Sequence, residues 1–444
     1  MALSAGVAQS EITPPVGTDL AGWCFGPSRG VADSLYARAL TLVCDGEPPL
    51  VLVTLDLIGL GTEYASTLRD RLSNQLGTTR ERIILSCSHT HSGPGAMPIR
   101  RWGKIDPHYI DSLLSSIELT VHRARGAVEP ATLVSDQGLV TGICDNRRGD
   151  RGNIVDERVP VIVVRRGDGS PMAILYNFSC HPVAAHNDRN LISADFPGYA
   201  AKRIQSTLSG AQPMFTLGAA GDVNPVEFHK LDLAIRYGND LGQRVVDIAR
   251  GAADGPSRRG EPSETTPGAQ EIDVASTVVE LPVAELPDPD WLAEERDRWY
   301  AEADRLRASN GPHSKIEDAL IKAEWAAEAL DIVQRGTAQT HLEMEMIAVR
   351  LGSAALLALP GELFVEIGMQ IKSASPFEPT AIVQLANGAI AYLPTAKAFR
   401  KGGYETDFSA KVYGVYMLTE ETEQIIEGAA RKLFAQLAAN ATRD

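Results

Sequence analysis

The side chains with the clearest capacity for chemistry are two histidines placed two residues apart, His89 and His91. They lie in the stretch Ser88–Gly95, directly after an apolar run at 82–85 that predicts a buried strand. Residues i and i+2 at a strand end point to the same side, so we expect both imidazoles to enter one pocket. Neutral imidazole suits zinc, but such a pair is also compatible with a solvated site or with hydrogen bonds to the backbone. The glycines that follow let the backbone approach a ligand closely, which makes Gly95 a candidate substrate contact.

Other residues of catalytic type also follow predicted strands. They are His181 after Met172–Phe178, Asp222 and Asn224 after Met214–Leu217, and Glu362 after Ala354–Ala358. Ligands of α/β sheets bind at the edge where the strands end, so these positions favour a common site. Asp222 could orient a histidine or hold a loop, and Glu362 could bind a metal or simply interact with a helix dipole. Arg147 lies in a polar loop, where it could be solvated or could bind an anion.

The elements that must position these residues alternate along the chain. The strand Leu50–Leu55, the helix Thr62–Leu76 and the strand at 82–85 form a strand–helix–strand unit. The alternation predicts an α/β fold with mixed sheets and flanking helices, as one domain spanning residues 1–444. Within it, residues 288–335 predict a charged helical hairpin, which could be a lid over the site or a structural support.

Composition restricts the partners. The 444 residues carry 42 basic and 57 acidic side chains, a net charge of −15, which argues against nucleic acid or an anionic membrane as the main partner. No stretch approaches the roughly 20 apolar residues of a membrane span. The N-terminus lacks the pattern of a signal peptide, and the five cysteines are widely spaced, so we expect a cytoplasmic protein with reduced thiols and a small-molecule substrate. A homo-oligomer is compatible with this composition, which does not fix the oligomeric state.

Eight motifs share one property: they occur in the order found in a known family of hydrolases. They are Glu11–Pro14, Ser88–Gly95, Asn146–Arg147, Phe178–Pro182, Asn190–Gly198, Gly221–Pro225, Pro360–Glu362 and Tyr392–Tyr404. With these motifs the chain resembles the catalytic domain of neutral (alkaline, non-lysosomal) ceramidases and their bacterial relatives.

The resemblance implies a single zinc ion, and it separates the two histidines of the first motif. It assigns four zinc ligands, which are His89, His181, Glu362 and Tyr392. It places His91 beside the metal, where it could bind substrate or carry a proton, with Asp222 as a second candidate for proton transfer. It also implies that Arg147 and Tyr404 stabilise a developing oxyanion.

Two departures from the family bear on the reaction. Asn224 occupies the position of a serine that has been assigned as the nucleophile of ceramidases. We also expect the chain, which stops at Asp444, to lack their C-terminal immunoglobulin-like domain. An amide side chain cannot act as that nucleophile, so we expect Asn224 to orient substrate while zinc-activated water attacks. The predicted function is hydrolysis of an amide bond in a small soluble substrate. The alternatives are an esterase or lactonase with the same zinc site, and a non-catalytic, zinc-stabilised family member.

Overall fold

The computed structural model describes residues 2–22, 26–149, 152–186, 188–251 and 271–440. Its strands are β1 (Leu3–Glu11), β2 (Gly30–Val31), β3 (Tyr36–Cys44), β4 (Leu50–Leu55), β5 (Ile83–Cys87), β6 (Glu129–Leu139), β7 (Cys144–Asn146), β8 (Arg158–Arg166), β9 (Pro171–Phe178), β10 (Leu191–Ile192), β11 (Gln212–Leu217), β12 (Val223–Pro225), β13 (Ile272–Pro282), β14 (His341–Leu351), β15 (Ala354–Ala358), β16 (Glu362–Leu363), β17 (Thr380–Val383) and β18 (Tyr392–Leu393). The α-helices are α1 (Thr62–Leu76), α2 (Pro107–Gly126), α3 (Asp195–Thr207), α4 (Leu231–Ala249), α5 (Pro289–Ala308), α6 (His313–Arg335), α7 (Val365–Ala374), α8 (Ala396–Lys401), α9 (Phe408–Tyr413) and α10 (Thr422–Asn440).

Two mixed sheets form the centre of the fold. Within the described ranges, the larger sheet has the strand order β11-β9-β8-β6-β1-β3-β4-β5, and the smaller sheet has the order β13-β14-β15-β17. In the larger sheet, β4 and β5 are parallel neighbours, and α1 lies between them in the sequence. This confirms the predicted strand–helix–strand unit. Three short strand pairs lie outside these sheets, among them β7 with β12 and β16 with β18.

The two sheets pack face to face, and helices cover both outer faces. The alternation along β14 shows this arrangement, because Ile347 and Val349 join a cluster shared with the larger sheet. Their neighbours Met346 and Ala348 instead face a cluster that contains apolar residues of α7 and α10. On the other side of the larger sheet, α1 to α4 bury their apolar faces against it. The predicted fold class, mixed sheets with flanking helices, is confirmed.

The predicted helical hairpin is present as α5 and α6. Trp325 of α6 donates its indole N–H to the Val415 carbonyl at 2.9 Å, and Ile321 packs in a buried cluster with Trp102. The hairpin is therefore fixed on the end of the molecule that carries residues 96–102 and 408–415. None of the helices in the described ranges combines the length and the apolar character that a membrane span requires.

Several boundaries differ from the sequence predictions. The strands β1, β6 and β13 were not predicted in full, because their half-exposed residues interrupt the apolar pattern. Glu362, for which the sequence left open a metal-binding role or an interaction with a helix dipole, lies in the short strand β16, and α7 begins three residues later. The segment from Gly251 to Gly268 is rich in Gly, Pro, Ser and Glu, which predicts a polar surface loop, and it lies outside the described residues except for Gly251. The assignment of residues 1–444 to one domain stays a prediction.

Candidate metal centre

His89 reaches the site through a backbone turn and not through strand alternation. The strand β5 ends at Cys87, and His89 has a φ of 69°, in the left-handed region that is uncommon for residues other than glycine. Its backbone N–H donates to Leu57 O at 2.8 Å, and its Nδ1 lies 2.6 Å from Ile58 O. The prediction that two imidazoles project from one strand face is therefore wrong in its geometry. The two rings nevertheless meet, with their Nε2 atoms 3.2 Å apart.

His181 follows β9 and is held by the loop that precedes β12. Its backbone N–H donates to Val223 O, and its Nδ1 lies 2.6 Å from Ala220 O and 3.1 Å from Val223 O. Because carbonyl oxygens only accept, Nδ1 must carry the proton of the neutral ring, and Nε2 then presents a lone pair. The same reasoning applies to His91, whose Nδ1 lies 3.0 Å from Gly22 O.

Glu362 brings a carboxylate to the same point. Its Oε2 lies 2.9 Å from His181 Nε2 and 3.3 Å from His89 Nε2. Its Oε1 accepts a hydrogen bond from the hydroxyl of Tyr413. Burial would raise the pKa of Glu362, but His89 and His181 outweigh it and hold that pKa well below its usual range. The carboxylate is therefore ionised although it is only 1% exposed.

Three imidazole Nε2 atoms and one carboxylate oxygen thus converge on one point. Burial lowers the pKa of His181 and holds that of His91 well below its ordinary value, so both rings are neutral at pH 7. The Nδ1 atom of each of the three rings is directed at a backbone carbonyl oxygen, and the Nε2 atoms are turned toward one another and toward Glu362 Oε2. The ligand atoms of His89, His91 and His181 lie within 4.8 Å of one another. In a tetrahedral zinc site, ligand atoms at about 2.0–2.1 Å from the ion are about 3.3 Å apart, so the donor set fits such an ion.

Two tyrosines stand beside this cluster. The ring of Tyr392, on β18 opposite Glu362, lies 6.1 Å from that of Tyr413 and 5.7 Å from that of Tyr404. Burial and the Glu362 carboxylate raise the pKa of Tyr392, while Arg147 acts in the opposite direction. Sequence patterns did not single out Tyr413, which follows no strand and belongs to none of the eight motifs. Its contact with Glu362 Oε1 makes it a second phenol oxygen at the metal centre.

Arg147 is held on three sides. Its Nε donates to Glu405 Oε1 at 2.9 Å, its Nη1 to Asn224 Oδ1 at 3.2 Å and its Nη2 to Gly221 O at 2.6 Å. The guanidinium carbon lies 5.5 Å from the ring centre of Tyr392 and 5.7 Å from that of Tyr404. The arginine is therefore an oriented cation next to both predicted site tyrosines.

A second arginine shares the same carboxylate. Arg148 Nη1 donates to Glu405 Oε2 at 2.5 Å, and its Nη2 donates to Gly402 O at 2.8 Å. Glu405 is only 6% exposed, so it balances two guanidinium groups in a poorly solvated place. Sequence patterns missed both residues, although each is the chain neighbour of a predicted site residue, Arg147 or Tyr404.

A cavity of about 800 Å³ opens over the cluster. His91, His181, Tyr392, Arg147 and Asn224 all line it. One wall is aromatic, with the Trp102 ring 6.4 Å from Tyr404 and 6.2 Å from Phe408. Asp318 of α6 also lines the cavity, so the helical hairpin forms part of the cavity surface.

A model of a known protein family matches the first half of the chain. The family model described as neutral/alkaline non-lysosomal ceramidase, N-terminal, matches residues 3–225, half of the chain. The chain belongs to this family. That match contains His89 and His181 of the candidate metal centre and the arginine Arg147, whereas Glu362 and the tyrosines lie beyond it.

Ceramidase relatives resemble the chain in sequence and in fold. Neutral ceramidase A of Dictyostelium discoideum is 28% identical over 174 residues, and neutral ceramidase of Mycobacterium tuberculosis is 26% identical over 230 residues. These matches cover 33% and 45% of this chain but only 24% and 36% of those proteins. The crystal structure of neutral ceramidase from Pseudomonas aeruginosa is similar with a TM-score of 0.71 and 18% identity, over 98% of this chain and 75% of that one. A ceramidase structure complexed with C2 gives 0.73 and 18%, over 99% and 76%. At this identity the structural likeness establishes the ceramidase fold.

Not every predicted residue of this ceramidase-family chain faces the cavity. Asp222 Oδ1 accepts the backbone N–H of Val365 at the start of α7, and its Oδ2 accepts from the Asn146 side chain, both at 2.8 Å. These contacts hold two loops together and do not support proton transfer by Asp222, a role that stays a prediction. Gly95 pairs with Ile105, and a Cβ at Gly95 would lie 2.9 Å from Lys104 O. The close approach at Gly95 is therefore to backbone of the chain itself.

His186 is a further cavity residue that sequence patterns missed. It is 1% exposed, and its Nδ1 lies 3.3 Å from the carbonyl oxygen of His91. Burial lowers its pKa to about 4, with a smaller contribution from His229, so His186 is neutral at pH 7. The sequence signal that could have identified His186 is its position five residues after His181, in the same loop.

Proposed function

We propose that the protein is a zinc-dependent hydrolase that cleaves the amide bond of a small N-acyl compound. The observation that carries this proposal is the convergence of three imidazole Nε2 atoms and one carboxylate oxygen at a cavity wall. Membership of the ceramidase family supports an amide as the bond that is cleaved. The chain matches about a quarter to a third of the length of its curated relatives.

His89, His181 and Glu362 would hold the zinc ion. Tyr392, as the family resemblance implies, would add an oxygen, with Tyr413 fixing the free oxygen of Glu362. A bound zinc ion would polarise the substrate carbonyl and make water more acidic. The backbone carbonyls that fix both Nδ1 atoms would keep the two imidazoles in the required tautomer.

His91 would carry the proton. Its ring is neutral at pH 7, its Nδ1–H is directed at Gly22 O, and its Nε2 faces the cluster. It could take a proton from the attacking water and deliver it to the departing nitrogen. The same Nε2 is close enough to the other imidazoles to be a third nitrogen ligand. The zinc content of His91→Ala separates these roles, because loss of a proton carrier leaves zinc bound.

Arg147 and Tyr404 would stabilise the oxyanion. Burial raises the pKa of Tyr404, which keeps its hydroxyl protonated and able to donate. The guanidinium of Arg147 is fixed by three hydrogen bonds, so it need not reorganise as charge develops.

The size and lining of the cavity favour a small substrate. A volume of about 800 Å³ is in the range of sites for drug-sized ligands. Charged residues such as Arg148, Lys401 and Asp318 line it beside the aromatic wall. Ceramide is the second candidate, favoured by the names of the relatives and by the aromatic wall itself. The predicted cytoplasmic location is part of the proposal for a soluble substrate.

Metal analysis combined with a substrate screen tests the proposal. Purified protein should contain close to one zinc per chain and should hydrolyse at least one of a set of short N-acyl amines. Matched esters, lactones and detergent-solubilised ceramide serve as comparison substrates. His89→Ala and His181→Ala should lose zinc and activity together, whereas His122→Ala, on the exposed face of α2, should keep both. An active, zinc-free His181→Ala enzyme would contradict the proposal. Faster turnover of ceramide than of short amides would mean that ceramide, and not a small N-acyl compound, is the substrate.

A further inference from the structure

Asn224 presents an amide group whose orientation is determined. Its Oδ1 lies 3.2 Å from Arg147 Nη1. A guanidinium group has only donors, so the carbonyl oxygen of the amide must be the atom that faces Arg147. The Nδ2 group therefore points away from Arg147, and within the described ranges it donates to no other residue.

The position of Asn224 places that donor at the reaction centre. It lies on β12, directly after Val223, whose carbonyl oxygen contacts both the backbone N–H and Nδ1 of His181. Asn224 is half-buried and lines the cavity together with His181 and Tyr404. The amide is thus anchored by an arginine on one side and adjoins the cavity on the other.

Arg147 has few donors left for a substrate. Of the five N–H bonds of a guanidinium group, one each is used by Glu405, Asn224 and Gly221. A further one interacts with the Tyr392 hydroxyl. A developing oxyanion usually requires more than one fixed donor, so the site has a use for an additional one.

We propose that Asn224 is a catalytic residue that donates a hydrogen bond from Nδ2 to the oxygen of the scissile carbonyl as that oxygen becomes negative. This inference rests on the proposed amide hydrolysis. Water oxygen bonds to the carbonyl carbon, the π pair moves to the carbonyl oxygen, and the proton lost by water passes to His91. The C–N bond then breaks, its electron pair leaves with nitrogen, and the proton passes to that nitrogen. This collapse re-forms the carbonyl and gives a carboxylic acid and an amine, and the acid then passes its proton to the amine. The products are carboxylate and ammonium, and Asn224 loses no atom.

Two substitutions of Asn224 separate donation from mere support of Arg147. Asn224→Asp keeps an oxygen for Arg147 but removes the donor, whereas Asn224→Ala removes both. If Nδ2 is a donor to the oxyanion, both variants lose about 10²–10³-fold in kcat with KM changed less than threefold. Asn74→Asp and Asn74→Ala, at an exposed position of α1, are the matched controls and should keep full activity.

Binding measurements supply a readout that does not depend on turnover. The probe is a phosphonate analogue in which a tetrahedral phosphorus replaces the scissile carbonyl carbon of the best N-acyl substrate. Both Asn224 variants should bind it about 10²-fold more weakly by calorimetry, while zinc content and affinity for the amine product stay unchanged. Full activity of Asn224→Asp would overturn the inference. A loss in Asn224→Ala alone would then make Asn224 a support for Arg147, and no loss in either variant would exclude that role too. If the unmodified protein hydrolyses no N-acyl probe, the proposed function fails first and the inference fails with it.

Discussion

Replacing Glu405 by glutamine tests how the arginine pair is held. The side chains are nearly isosteric, but glutamine has no charge and has one oxygen where the carboxylate has two. Glu405 Oε1 accepts from Arg147 at 2.9 Å, and Oε2 accepts from Arg148 at 2.5 Å. One of the two arginines would therefore face an NH₂ group, which is also a donor, and would lose its acceptor.

The size of the effect follows from the burial of the three side chains. The Glu405 side chain is 4% exposed, and the side chains of Arg148 and Arg147 are 9% and 23% exposed. Breaking a buried ion pair by removing one partner costs about 3–5 kcal/mol. Because Arg147 is partly solvated, we expect Glu405→Gln to lower the free energy of unfolding by about 3 kcal/mol, near the lower end of that range. A displacement of Arg147 by about 1 Å would lower kcat by about 10²-fold.

Denaturant unfolding and steady-state kinetics measure the two effects on one preparation. Zinc content should remain unchanged, because the Glu405 carboxylate binds Arg147 and Arg148 and, in the part of the chain that the structure describes, does not contact His89, His181 or Glu362. The matched control is Glu420→Gln, which removes a surface ion pair at 2.7 Å from Arg400, with side chains 48% and 66% exposed. We expect that control to change stability by less than about 1 kcal/mol.

Two results would refute this reasoning. Unchanged stability of Glu405→Gln would mean that the two guanidinium groups do not depend on its charge. A loss of stability with full kcat would mean that Glu405 supports the fold but does not orient Arg147 for the reaction.

Three further changes have defined outcomes. Chelation of the metal should lower the melting temperature and zinc should restore it, because the folded chain brings the three imidazoles and Glu362 together to bind the ion and the unfolded chain does not; a melting temperature insensitive to the chelator would contradict this. Tyr413→Phe should weaken zinc binding about 10–100-fold in a competition titration, because it removes the hydrogen bond to the carboxylate oxygen; unchanged affinity would exclude that role. Burial tends to raise the pKa of Asp156, but Lys372, at 2.9 Å, and Arg158 lower it from 3.8 to about 2. The stability that this depressed pKa contributes is therefore complete above pH 3.8 and is lost as pH falls toward 2. Lys372→Met should flatten that part of the stability curve measured by denaturant unfolding, and an unchanged slope would contradict it.

Local patterns in the sequence determined much of the fold. The helix predicted at Thr62–Leu76 and the strand predicted at Leu50–Leu55 have those same bounds in the structure. Both signals are local: apolar residues at helical spacing in one case and a short apolar run in the other. The strand Glu129–Leu139 escaped prediction because its burial comes from neighbours distant in sequence, including β8.

The sequence by itself determined which side chains were candidates for the site, and the tertiary structure decided how they meet. Residue types and motif order identified His89, His181 and Glu362, but nothing in their spacing fixes that they converge. Two sheets and the left-handed turn at His89 bring the ligand atoms together. They also direct the Nδ1 atoms of His89 and His181 at backbone carbonyl oxygens. The contact of Tyr413 with Glu362 could arise only there, because hydrogen-bond partners 51 residues apart are chosen by packing and not by a local pattern.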